Sequence, residues 1–497
     1  MNIEQERLTV LEQERSLPIN STGLRARLIS LLDAGNVEAA KKMFATHSVE
    51  ADAAIKQLNT QSHKIMSRPN KQRENKPDYE VCKLPRNLQV IINKIGNYMM
   101  FGNPLQFTLE NDASERDELQ EAFSAFEDFL QNVYFNERMS EAKLLAGGET
   151  ESAKLYRLYT NEDGESKVVC QVLANSKAQR LYPMINQYGE MVAFGIGYYL
   201  QSDTNNTTEE HFDVYTKHII FKCTKGGDFG GNWHIESEDN NFGKIPVIYY
   251  RQEVEWQGAQ ERIERLESAD SRRGDTNNYF GDPYLTISRD IANDRLAGPE
   301  DAGKVIVLDG VDSKFEFVAP PDCGDNIENE KDDLFASILH DTMTPDLTYK
   351  SIMGLGTLSG EAMRRMSLPG YIKRGIRSIE YNPLIRREIN LIIAIMCNYT
   401  YLNDSAMRDK LQRLKIKFSY QDPFIGCIDD NADEIAALMG AGAMSIESAV
   451  GVNRFVIDKE AELERIRKDK EFAAQIDNQT ASAQSQTVEK VVETIKE

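Results

Sequence analysis

Between residues 153 and 250 the apolar residues of this chain stop recurring at helical spacing and begin to alternate or run together, and on both sides the helical spacing returns. A period-2 pattern cannot be satisfied by a helix, nor a period-3.6 pattern by a strand, so this switch commits the chain to sheets set beside helices. The runs KLYRLYT, KVVCQVL, MVAFGIGYYL, HFDVYTKHIIFKC and NWHIES read as strands, with turns at NEDGE and NQYGE. The expected class is therefore α+β, mainly helical.

The helical parts have legible ends. LRARLISLLDAG has helical spacing and stops at Gly35, and NVEAAKKMFATH restarts behind an Asn cap. Residues 67–80 hold two prolines and many charges, the composition of a linker or arm. The spacing predicts a helix with Leu88, Ile91, Ile92, Ile95 and Met99 on one face, stopped by Gly102, then a short strand in NPLQFTLE. Residues 114–147 read as one amphipathic helix that buries Leu119, Phe123, Phe126, Leu130 and Val133.

Residues 254–278 offer only a thin apolar seam of Trp256, Ala259, Ile263 and Leu266, on a helix about 37 Å long at 1.5 Å per residue. So narrow a stripe suits packing against similar neighbours, with a solvated helix of i,i+4 charge pairs as the alternative. Residues 282–320 read as a small β unit, and NEKDDLFASILHDTM as a helix running into a loop rich in Gly, Thr and Ser. A long helix over 361–402 follows, with kinks expected at Pro369 and Pro383, then a strand in LKIKFSYQD. Charged helix continues from about 429 and fades after 474 into a Gln/Ser/Ala-rich tail expected to be frayed.

The chain has 497 residues, room for about three domains. Its formal net charge of −21 gives no overall basic face for gripping nucleic acid by counterion release. The N-terminal stretch is charged and lacks the apolar run of a signal, and the longest apolar stretch, near 389–396, is far short of a membrane span. Six cysteines, at 82, 170, 223, 323, 397 and 427, are scattered without CxxC spacing, as expected for reduced thiols. The histidines show no HExxH pattern, so no metal or other cofactor is expected.

Catalytic motifs are near misses. GPEDAGKV places Gly298, Gly303 and Lys304 at phosphate-loop spacing, but Val305 replaces the magnesium-holding hydroxyl, and a strand rather than a helix follows. GLGTLSG (354–360) lacks the dinucleotide spacing. The pairs Asp332/Asp333 and Asp429/Asp430 could hold metals for phosphoryl transfer, yet charged helix faces produce such pairs routinely. An enzyme acting on nucleic acid through Lys304 and these acids is the competing reading; the expectation is no enzyme.

Four stretches together resemble the portal proteins of tailed bacteriophages, of the long-tailed type. LPRNLQVIINKIGNYMMFGNPLQFTLEND is similar to the family's early helix and its aromatic–Gly–x–Pro turn. GKIPVIYYRQEVEWQGAQERIERLESADSRRGDTNNYFGDPYLTI resembles its IPV strand, stem helix and approach to the clip. HDTMTPDLTYKSIMGLGTLSGEAMRRM resembles the tunnel loop, with a "PD" before a Gly/Ser-rich stretch, and SIESAVGVNRFVIDKEAELERIRKDKEF resembles the crown. The resemblance runs over roughly residues 80–470. Pro369, early in the long helix, and the loop around 290–303 depart from it.

The resemblance implies a ring of twelve copies at one capsid vertex. Its parts would be a helical arm (1–79), a wing (80–253 and 361–428), a stem (254–278 and 327–343), a clip (279–326), a tunnel loop (344–360), a crown (429–473) and a tail (474–497). Implied partners are the terminase motor, the major capsid protein, a head-completion or adaptor protein, a scaffolding protein, and double-stranded DNA in the channel, with no membrane. Assembly would take place in the host cytoplasm, and the product would sit in the virion. Thr348, Tyr349, Lys350, Ser351, Gly354 and Gly356 would lie nearest the DNA, while Trp256, Ile263 and Leu266 would pack stem against stem. Another structural head protein, a shell subunit or adaptor, is the third reading.

Overall fold

Residues 21–72, 78–161, 164–201, 207–280, 284–288, 304–308, 324–349, 351, 365–423, 431–452 and 462–472 are described in the computed structural model of this protein. They fall into two compact units. The larger takes the described residues up to Leu347 and those of Ser367–Pro423; the smaller takes those of Thr348–Met366 and those from Phe424 onward.

The larger unit begins with α1 (Ser21–Asp33), α2 (Val37–Lys41) and α3 (Ser48–Leu58). Gly35, at φ +77°, ends α1, and the Asn36 side chain accepts the Ala39 N–H to start α2. α4 (Leu88–Phe101) and strand β1 (Gln106–Leu109) stand where the pattern puts them. On α4, Leu88, Ile92 and Met99 are buried, but Ile91 is 46 % exposed. The helix expected over 114–147 is two, α5 (Ala113–Asn132) and α6 (Phe135–Glu149), broken at Tyr134 with φ 54°. The five apolar residues assigned to its inner face are all buried.

The β block forms two antiparallel sheets. β2 (Glu151–Thr160) lies between β3 (Ser166–Leu173) and β9 (Val247–Arg251). β4 (Gln179–Ile185), β5 (Met191–Gln201), β6 (Thr208–Tyr215), β7 (Ile219–Gly226) and β8 (Trp233–Asp239) form a five-stranded meander in chain order. The single run HFDVYTKHIIFKC is two strands: Thr216 closes the turn with its hydroxyl, donating to the Ile219 carbonyl at 2.7 Å and accepting the Ile219 N–H at 3.0 Å. One core, with Leu155, Phe194, Ile196 and Val247, joins the meander to the three-stranded sheet. On another, Leu28, Leu32 and Val37 of α1 and α2 pack with Phe212, Val214 and Phe221 of the meander.

α7 (Gln260–Phe280), β10 (Tyr284–Ser288), β11 (Lys304–Leu308) and α8 (Gly324–Asp341) follow, with β10 and β11 parallel. α9 (Leu368–Ile395) ends in a π turn at Met396–Thr400, ahead of α10 (Ser405–Arg413) and β12 (Ile416–Ser419), which pairs antiparallel with β1. The helix expected over 361–402 is interrupted just ahead of Pro369: residues 365–366 are helical, 367 is a turn, and α9 begins at Leu368. Pro369 occupies the first turn of α9, where the missing N–H leaves no bond unmade, whereas Pro383 lies inside. α9 carries Ile385, Ile389 and Ile392 into the largest core, with Phe126, Phe135, Tyr156 and Tyr250.

The smaller unit holds α11 (Asn431–Gly440), α12 (Ile446–Val452) and helix over 462–472. Among the described residues no helix is long and apolar enough to cross a membrane. The tail after 474 and the strand expected near 314–320 lie outside the described residues.

Candidate channel elements and their supports

α7 starts later than its sequence pattern suggests. Trp256 sits in the turn before it, with Ala259 N–H donating to the Trp256 carbonyl at 3.0 Å. Trp256, Ile263 and Leu266, which sequence assigns to contacts between copies, have no exposed surface within one chain. They pack with Ala54, Leu88, Ile92, Val254 and Ile338, and Trp256 Nε1 donates to Gln57 Oε1 at 2.8 Å. The seam is thus closed by α3, α4 and α8 of the same chain.

The seam can be thin because α7 also docks through polar groups. Glu267, Ser271 and Asp275 stand four residues apart on one helical row. They accept the backbone N–H groups of Arg86 (2.8 Å), Leu84 (2.9 Å) and Cys82 (2.7 Å). Two residues of extended chain advance about 6.6 Å and four of helix about 6.0 Å, so the two repeats stay in step over three contacts. Gly274 lets the segment lie close, since a Cβ there would meet Cys82 Sγ at 2.6 Å. Arg68 pairs with Asp275 at 2.6 Å, Arg86 with Asp270 at 2.5 Å, and His63 Nδ1 lies 2.7 Å from Glu267. Burial pushes the Asp270 carboxyl up, but Arg86 and Lys331 outweigh it and hold it below the ordinary value.

α7 and α8 are laced by ion pairs: Arg262–Asp341, Arg265–Glu330 at 2.6 Å, Lys331–Asp270 at 2.7 Å and Arg273–Glu328 at 2.8 Å. Lys304 opens strand β11 opposite Tyr284, so a strand follows the glycine-rich stretch. Asp332 and Asp333 are exposed on α8. Asp429, Asp430, Gly298 and Gly303 lie outside the described residues.

α8 is stopped by a built turn. Met343 N–H donates to the His340 carbonyl at 3.0 Å and Thr344 N–H to the Leu339 carbonyl at 2.9 Å, with Pro345 next. This is the double bond pattern of a left-handed helix stop, and Met343 takes the left-handed position at φ 50°. The buried hydroxyls of Thr342 and Thr344 lie 2.9 Å apart, and Thr342 Oγ1 donates to the Ile338 carbonyl at 2.8 Å.

In the smaller unit, Thr348 Oγ1 accepts the Ser351 N–H at 3.4 Å and donates to Ser351 Oγ at 3.1 Å, capping a helical turn. Tyr349 is 77 % exposed. Lys350, Gly354 and Gly356 lie outside the described residues.

The turn below α7 is anchored by a carboxylate that sequence reasoning missed. Glu255 has no exposed side-chain surface; Lys143 of α6 donates to it, Lys373 Nζ of α9 lies 2.8 Å away and Arg377 Nε 3.5 Å. Burial pushes this carboxyl up, but the three cations prevail and hold it well below the carboxylate range. Burial pulls the Lys143 and Lys373 ammonium groups down despite Glu255. In sequence, such a Glu in a charged stretch looks solvated, and no local signal separates it from its neighbours.

No curated protein matches the chain. The family model for phage portal proteins of the SPP1 Gp6-like type does match, over residues 40–475. That span takes in residues 82–86 docked on α7, all four sheets, the α7–α8 pair and α9. On this match over most of its length, the chain belongs to the SPP1 Gp6-like phage portal protein family.

Proposed function

We propose that copies of this chain close into a ring of twelve at one capsid vertex, around a channel that passes double-stranded DNA during packaging and ejection. The observation that carries this reading is the family match over residues 40–475. A heterologous contact repeated about an axis closes a ring. The net charge of −21 suits a conduit, because a wall that repels phosphates lets a polyanion slide where a basic one would grip it.

In this reading α7 and α8 are the stem, and β10 and β11 belong to the clip, which docks the terminase motor and later a head-completion or adaptor protein. The wing, residues 80–253 and 361–428, meets the major capsid protein and scaffolding protein. The crown is 429–473. ATP hydrolysis belongs to the terminase. Since Trp256, Ile263 and Leu266 are filled from within the chain, neighbouring stems meet through the charged outer faces of α7 and α8. Thr348, Tyr349, Lys350 and Ser351 face the DNA, with Gly354 and Gly356 giving the loop freedom to follow the duplex.

Particle images of the purified protein test the ring: about a dozen copies around an axial hole are expected, and a solitary compact particle overturns it. Deleting residues 348–358 tests the loop. Rings should still assemble while packaging fails; loss of assembly would make the segment structural.

A further inference from the structure

One cleft of the larger unit is basic in a chain that is otherwise strongly acidic. It lies between α9 and the β block, has a volume of about 690 Å³, and is lined by Arg25, Lys217, Lys244, Arg386 and Arg387 with no Asp or Glu. Many cations elsewhere in this unit are tied to acids, as Arg413 is to Glu118 and Arg180 to Asp52. Among the described residues none of these five forms an ion pair with a carboxylate. Arg25 Nε is buried and has no acceptor. Lys244 Nζ donates to the Asn390 carbonyl at 3.0 Å. Burial pulls the Arg387 guanidinium down, and burial with Arg387 and Lys217 nearby does the same to the Lys244 ammonium. Holding like charges together, with Arg387 and Lys244 partly stripped of water and no carboxylate paired to any of the five among the described residues, costs free energy that a bound anion would recover.

We propose that this cleft binds a compact polyphosphate, such as inorganic triphosphate or the phosphate chain of a nucleotide. Three guanidinium groups and two ammonium groups supply charge-assisted donors of the kind that phosphate oxygens accept. The volume fits a small molecule, and Met191, Ile245, Ile379 and Leu391 supply the apolar wall that such pockets show. Compactness follows from the field of the whole chain. A duplex would meet the acidic surface over tens of ångströms, whereas a small anion inside the cleft senses mainly the charges within a Debye length of about 8 Å. Its lining shares no residue with the proposed tunnel loop or stem.

Calorimetric titration of the purified full-length protein with sodium tripolyphosphate, with ATP, and with a short DNA duplex tests this. Tripolyphosphate and ATP should bind alike, with a dissociation constant below about 1 mM, while the duplex binds more weakly. Arg387→Gln and Lys217→Gln should each weaken binding about tenfold or more. Lys217 and Arg386 are exposed positions, so Lys217→Gln and Arg386→Gln test the site without disturbing a buried group. Three results would each overturn the assignment: no heat from either phosphate compound up to millimolar concentration, ATP binding that these variants leave unchanged, or tighter binding of the duplex lost in the same variants.

Discussion

Lys154 Nζ lies 2.6 Å from a carboxylate oxygen of Glu388, and neither side chain has any exposed surface. The pair joins β2 to α9, elements more than 200 positions apart in sequence. Tyr156 and Tyr250 donate their hydroxyls to the same carboxylate at 2.5 and 3.0 Å, and Lys154 Nζ sits 4.4 Å from the centre of the Phe135 ring. Each oxygen of Glu388 therefore has a donor, which a charge in an apolar core requires.

Removing one partner should be far worse than removing both. Glu388→Ala strands the Lys154 charge and is expected to cost about 3–5 kcal/mol, read as a lower urea midpoint. Lys154→Met and Glu388→Leu, combined with Tyr156→Phe and Tyr250→Phe so that no buried hydroxyl is left without its acceptor, restore apolar packing and should recover most of that loss. A loss below about 1 kcal/mol for the single variant would show that water reaches the site.

Glu255 sets an acid limit on the turn that leads into α7. Its folded pKa is depressed, so its contribution is complete above the unfolded value near 4.5 and is lost as the pH falls through the folded one. Glu255→Gln should lower stability at pH 7 by about 3 kcal/mol. The gap between wild type and variant should narrow steadily below about pH 4.5. Denaturant midpoints for both proteins across pH 3–7 check the sign, and a gap that widens on acidification would refute it.

What the sequence revealed and what it hid divide along one physical line. Features that need only near neighbours were legible: Leu88, Ile92 and Met99 on one helical face, Gly35 and Asn36 as stop and cap, and Gly164 and Gly189 in the NEDGE and NQYGE turns, both at positive φ. Features set by distant partners were not. Strand β4 reads poorly because Pro183 interrupts it, and the fold accepts that proline because β4 is an edge of the meander. Lys143, Lys154, Glu255 and Glu388 look like surface charges until α6, β2 and α9 come together. Glu267, Ser271 and Asp275 look like one solvated face of α7, and only residues 82–86 make them acceptors. Of the candidate loop, Thr348, Tyr349 and Ser351 are placed, so the capped turn is visible while Lys350 and the two glycines stay outside the described residues.

Met343 stands where α1 and α11 use glycine. Gly35 and Gly442, at φ +77° and +69°, make the same pair of bonds in the same order, to the carbonyls of Leu32 and Met439, while Asn36 and Ala443 reach back to Leu31 and Leu438. A side chain in the left-handed region costs about 1–2 kcal/mol, against which glycine loses roughly 0.5–1 kcal/mol of chain entropy. Met343→Gly should therefore raise stability by up to about 1 kcal/mol, seen as a higher denaturant midpoint. A fall instead would mean that the Met343 side chain, 37 % exposed, contributes more by packing than its backbone strain costs.

The three-step docking of residues 82–86 on α7 makes a prediction that stability alone could not isolate. Ser271 is fully buried, and its Oγ accepts the Leu84 N–H at 2.9 Å. Ser271→Ala removes that acceptor and leaves a backbone donor without its partner, at about 1–3 kcal/mol. The loss should be local. Exchange of the Leu84 amide should speed up, while the Cys82 and Arg86 amides, held by Asp275 and Glu267, keep most of their protection. Hydrogen-exchange measurement on wild type and variant separates the possibilities. Independent rungs lose one amide. If all three amides exchange faster together, residues 82–86 come off α7 as one cooperative unit, a detachable strap held by the matched repeat rather than by its separate bonds.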